Sequence, residues 1–273
     1  AFAEWGIDCL QRLNGMFDFP TSKGDFDGKA AITVDWPLKA GDWGSLTLKA
    51  GGSIEVKIDK SELTRLEGKM PFAMHVNGGE RVGAFDLEGE VSGKYDHKSG
   101  TFDGDLSATL KTDLQVLVGD KGDKVVIKEG TQVAAKVTKN EPESLKLQLE
   151  AEYHQAVEGH LLTGSLKDAL FEFKTGEVSF EGQMILKRRL ERNITKDGSW
   201  KIAVLPEVTN FDVSVVKNRV TRIGGNLTVE IVDKEGPLLH GSLTDAEFDI
   251  EKTEFTGLLT LSLARDLSWP RAD

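Results

Sequence analysis

The stretch Phe85-Asp86-Leu87-Glu88-Gly89-Glu90-Val91-Ser92-Gly93-Lys94-Tyr95-Asp96 decides the fold. Odd positions are apolar or glycine and even positions are polar, the period of an extended strand whose successive side chains point to opposite faces. The same period runs through Leu145, Leu147, Leu149, Ala151 and Tyr153 against Lys146, Gln148, Glu150, Glu152 and His154. It returns in Phe255, Gly257, Leu259, Leu261 and Leu263. Long two-faced strands of this kind belong to antiparallel sheets; parallel strands read as continuous apolar runs joined by helical crossovers. Lys98-Ser99-Gly100 and Lys174-Thr175-Gly176 mark tight turns, with glycine supplying the positive φ that a hairpin needs.

Working outward, a Phe-x-Gly frame recurs at Phe26/Gly28, Phe102/Gly104, Phe180/Gly182 and Phe255/Gly257, with the Phe positions 76, 78 and 75 residues apart. Gly164-Ser165-Leu166-Lys167-Asp168-Ala169 also matches Gly241-Ser242-Leu243-Thr244-Asp245-Ala246 at an offset of 77. These eight Phe and Gly residues form the signature of a repeat of about 76 residues. The glycine is expected as a kink, or as room for the ring of a cross-strand neighbour.

The expected architecture is therefore all-β: an antiparallel meander of long hairpin-connected strands in repeats of ~76 residues, folded into a sandwich-like or tube-like layer structure. One continuous array would comprise 1–45 (a helix-like stretch plus the closing hairpin of a first repeat), 46–120 (repeat two), 121–195 (repeat three) and 196–273 (repeat four). Helical spacing is found in Ala1–Met16, where Trp5, Ile7, Leu10 and Leu13 suit a short amphipathic helix. The array opens mid-unit and carries no polar capping units, as expected of a segment from a longer protein.

Composition narrows the partners. The formal charge of −11, from 34 basic and 45 acidic residues, disfavours nucleic acid and anionic membrane surfaces. A single cysteine, Cys9, excludes an internal disulfide framework and a Cys-rich zinc site. No apolar run reaches the ~20 residues of a membrane-spanning helix.

The search for chemistry assigns no catalytic, cofactor-binding or metal-binding residue. The histidines His75, His97, His154, His160 and His240 form no recognised zinc motif. His154 and His160 flank Glu158 and could share one face, but with no further ligand nearby they are expected on a solvated strand. Lys187-Arg188-Arg189 with Arg192 is expected as a solvated turn. Asp233-Lys234-Glu235 resembles a calcium loop in composition alone. Trp43 and Trp200 are candidate exposed loop rings.

The function expected from this pattern is non-enzymatic: a structural or shell-forming β-repeat segment of a larger, bacterial secreted or toxin-type protein. Its partners would be adjacent repeats or domains of the same polypeptide, with a secreted or cell-surface/periplasmic location. The first alternative is a carrier for a hydrophobic ligand, as a lipid-transfer groove or a closed β-barrel. The second is a surface recognition or adhesion module that binds a protein or glycan.

Overall fold

A computed structural model of the chain describes residues 7–18, 23–39, 42, 44–60, 62–118, 121–206 and 208–265. Among them are twenty strands in one antiparallel sheet that is not closed into a barrel. In chain order they begin with β1 (Ile7–Asp18), β2 (Lys23–Ile32), β3 (Trp36–Lys39), β4 (Gly44–Leu48), β5 (Ser53–Asp59) and β6 (Glu62–Val76). Next come β7 (Phe85–Asp96), β8 (Thr101–Leu110), β9 (Leu114–Val118), β10 (Asp123–Ile127), β11 (Gln132–Thr138) and β12 (Glu141–Gln155). The series ends with β13 (Gly159–Glu172), β14 (Glu177–Leu186), β15 (Leu190–Asn193), β16 (Lys201–Val204), β17 (Asn210–Val216), β18 (Arg219–Asp233), β19 (Gly236–Asp249) and β20 (Glu254–Leu263).

Two sequence expectations change here. The N-terminal helix is absent from its described part: Ile7–Asp18 is β1, paired with β2 from Ile7↔Ile32 to Asp18↔Lys23 across a register shift between Asp8 and Arg12. Residues 1–6 lie outside the described residues, as does Trp43. So short a helix is marginal alone, whereas the edge of β2 offers a full ladder of backbone partners. A closed tube is also not seen, since the described strands form one sheet that is not closed into a barrel.

The chain divides into two compact units: residues 1–117, 126–149 and 170–177, and residues 118–125, 150–169 and 178–273. Within the first, β1, β2, β5, β6, β7, β8, β11 and the start of β12 follow one another as antiparallel neighbours. The second carries β14, β17, β18, β19 and β20 in the same manner. Long strands serve two shorter ones end to end: β5 pairs with the first half of β6 and β4 with its second half. Likewise β17 and β16 share the length of β18.

The small core sits at these strand breaks. Ile32 and Leu110 in the first unit and Leu186 and Ala203 in the second are at most 4% exposed. Their backbones remain paired, as burial requires. Ile32 N donates to Gly52 O (2.8 Å), Leu110 N to Thr131 O (2.9 Å) and Leu186 N to Thr209 O (3.0 Å). Thr209 is fully buried, and its hydroxyl accepts from Thr228 N at 3.2 Å.

Candidate functional site

The register sorts the side chains by face. In the first unit one row across the sheet reads Val56, Leu66, Tyr95 and Phe102. A second reads Met70, Val91, Leu106, Ala135 and Leu145, and a third Phe72, Gly89, Ala108, Val133 and Leu147. The intervening rows carry Lys57, Arg65, Asp96 and Thr101, then Lys69, Ser92, Asp105, Lys136 and Ser144. The second unit repeats the division: Gly182, Val213, Ile223, Phe248 and Phe255 share one row, and Glu181, Ser214, Arg222, Asp249 and Glu254 the next. Alternation at period 2 and flush pairing thus give each unit an apolar face and a charged one.

Among the described residues the apolar rows are only partly covered: most of their side chains are half-buried and a few are open. Val91 and Phe102 are each 36% exposed, Phe211 44% and Ile223 48%. All ten residues of β20 are exposed, with Leu259 at 65%. Scattered exposed leucines are ordinary, but contiguous apolar rows open to solvent mark a surface that meets something apolar.

The described Phe-x-Gly side chains, of Phe102, Phe180 and Phe255, lie on the apolar faces, and their rings explain the glycine. A Cβ added at Gly104 would stand 2.6 Å from Phe102 Cζ, and one at Gly93 on the neighbouring strand 2.5 Å from Phe102 Cε2. Phe102 therefore lies over the glycine of its own strand and the glycine beside it. The expected cross-strand ring is joined by the same-strand one. A Cβ added at Gly182 would stand 3.5 Å from Phe180 Cε2, and one at Gly257 3.4 Å from Phe255 Cζ. Phe26 and Gly28 sit in β2, the side chain of Phe26 lying outside the described ones.

The charged face holds a depression of about 560 Å³ lined by Glu55, Glu67, Lys69, Lys94, Asp103 and Lys136 among others. Both signs are interspersed there, and Lys69 pairs with Glu90 at 2.7 Å. Such exposed pairs contribute at most ~1 kcal/mol each. Mixed charge of this kind selects neither an anion nor a cation.

The remaining sequence candidates separate. Arg188 bonds Gln155 Oε1 at 2.8 Å and pairs with Glu158. Arg189 bridges Glu191 and Glu230 at 2.8 and 2.6 Å, so both Arg188 and Arg189 are held by carboxylates. Asp233 and Glu235 are engaged by Arg265. Trp200, 42% exposed, lies between β15 and β16, and Cys9 lies in β1. His154 and His160 are stacked with ring centroids 4.8 Å apart, but the carboxylate beside them is Glu152, 2.9 Å from His154 Nε2. Glu158 is not in that group.

Turn carboxylates carry the clearest titration. Asp113 lies below its ordinary 3.8, held first by its hydrogen bond from Lys128 and then by the Glu129 backbone N–H. Asp197 is lowered to about 2 by hydroxyls of Thr195 and Ser199, then by the Ser199 N–H. A carboxylate depressed in the folded state stabilises above its unfolded value and loses that contribution as pH falls through the folded one. Thermal unfolding should therefore be level from about pH 7 to 5 and weaken from about pH 4 towards pH 2. Asp113→Asn should lower the midpoint at neutral pH and flatten the acid limb. An acid limb unchanged in that variant would assign it to other groups.

No protein-family model matches the chain, and neither a curated protein nor a solved structure is significantly similar to it.

Proposed function

We propose that the chain is a non-enzymatic segment of a repeated antiparallel sheet whose partly exposed apolar rows carry the acyl chains of lipids. The observation that carries this is the segregation of faces together with the exposure of Val91, Phe102, Phe211 and Ile223. An acyl chain gains about 0.8 kcal/mol per methylene withdrawn from water. It needs no built donor or acceptor, and these rows offer almost none. The opposite, charged face keeps such a carrier in water. The closed-barrel form of this reading falls away because the sheet is not closed.

The repeat supports the same reading, because a segment built this way lengthens its apolar face with each unit. Long strands open at Glu62, Glu141 and Arg219, and their partners at Phe85, Gly159 and Gly236. Two-residue turns with positive φ fall at Lys139-Asn140 and Lys217-Asn218. In each, the asparagine Oδ1 accepts a backbone N–H from the start of an earlier ten-residue strand, β8 or β14: Phe102 N at 2.7 Å and Val178 N at 2.8 Å. The buried Ile32, Leu110 and Leu186 stand 78 and 76 residues apart. The structural repeat segment and the hydrophobic carrier are thus two descriptions of one sheet.

The test is extraction of detergent-free protein with organic solvent, followed by mass spectrometry, and uptake of phosphatidylcholine from vesicles by stripped protein. Co-purifying lipid or saturable uptake is expected. Neither lipid in the extract nor uptake above that of a soluble control would overturn the proposal.

A further inference from the structure

Outside the apolar face, one cluster brings together a donor set suited to a metal. Among the described residues, Glu152, His154 and His160 form a group of three whose ligand atoms all lie within 4.8 Å of one another. Glu152 and His154 occupy the same face of β12, two residues apart, and His160 is on β13 across the hairpin tip. The two imidazoles stack with an interplanar angle of 18°, and the side chains of Glu152 and His154 are only a quarter exposed. His160 Nε2 lies 3.1 Å from both Leu162 O and Thr163 Oγ1, which orient its ring. Metal-bound histidines characteristically have such an outer partner.

We propose that Glu152, His154 and His160 bind a divalent transition-metal ion, zinc being the best fit. Two imidazoles and a carboxylate form one of the donor sets zinc uses, with bonds of ~2.0–2.2 Å and a fourth position for water. Reaching that geometry asks the widest of these separations to close by roughly an ångström, within the range of rotamer adjustment at a hairpin tip. Among the described residues the other histidine–carboxylate contacts gather no third ligand of this kind: His75 faces Asp86 at 2.7 Å and His240 faces Glu230 at 3.2 Å. The bound ion would tie β12 to β13 on the charged face, away from the rows proposed to hold lipid.

The experiment is calorimetric titration of the metal-stripped full chain with Zn²⁺, and of Co²⁺ followed by its visible absorption. One equivalent is expected, with the intense bands of a low-coordinate cobalt site. His154→Ala, His160→Ala and Glu152→Gln should each weaken binding at least ~10-fold, whereas His75→Ala with His240→Ala should leave it unchanged. A measurement on the unaltered protein guards against misfolded variants. Zn²⁺ should protect His154 and His160, and not His75 or His240, from diethyl pyrocarbonate. Absence of saturable binding, or equal losses and equal protection at all four histidines, would overturn the site.

Discussion

Gly225→Ala is expected to detach β17 from β18 and lower stability by about 3 kcal/mol, the sum of a strained left-handed residue and a forced backbone shift. Gly225 has φ +137°, and a Cβ there would stand 2.1 Å from Asn210 O and 3.0 Å from Phe211 Cα. Both atoms are backbone, so no rotamer change relieves the clash. The register shift between Gly225 and Leu227 places Asn226 at a node. Its backbone N–H donates to Asn210 Oδ1 at 2.9 Å and its own Oδ1 accepts from Asp245 N at 2.8 Å. Moving β17 therefore breaks bonds on both sides of β18. Urea unfolding reads the effect, with Gly79→Ala as control, since nothing lies within 4 Å of a Cβ at Gly79. The control should stay within ~0.5 kcal/mol of the parent. Equal midpoints for the two variants would show that β17 and β18 do not approach as described.

The strands were legible because the pattern that names them is local. Asp86 to Asp96 alternates without a break, and β7 spans Phe85–Asp96. The N-terminal stretch misleads for the complementary reason. Ile7, Leu10 and Leu13 fit a helical stripe, but the competing ladder pairs Ile7 with Ile32 and Leu13 with Gly28, far along the chain. Whether the apolar face is covered is not written in the alternation at all: Val91 alternates identically in a dry core and on an open surface. The Glu152–His154–His160 group was half legible. The i, i+2 spacing of Glu152 and His154 on one strand face is a local signal, whereas the return of His160 depends on the hairpin register. Glu158, nearest to His160 in the chain, is instead drawn to Arg188.

The second large effect concerns ligand binding. Val91 and Ile223 lie in the middle of apolar rows, one in each unit, and are 36% and 48% exposed. An aspartate at either site places a charge where an acyl chain would lie, and its desolvation would cost more than the ~1.4 kcal/mol that separates tenfold steps in affinity. The same charge at Gln132, exposed in an intervening polar row, stays in water.

The decisive measurement is the affinity of a fluorescent fatty acid for Val91→Asp, Ile223→Asp and Gln132→Asp, taken alongside circular dichroism and urea midpoints. An open lipid-carrying face predicts that all three remain folded, that the first two bind at least ~10-fold more weakly, and that Gln132→Asp binds within about twofold of the parent. Unfolding of Val91→Asp and Ile223→Asp would reveal a covered core in place of an open face. Undiminished binding by the folded variants would place the ligand elsewhere.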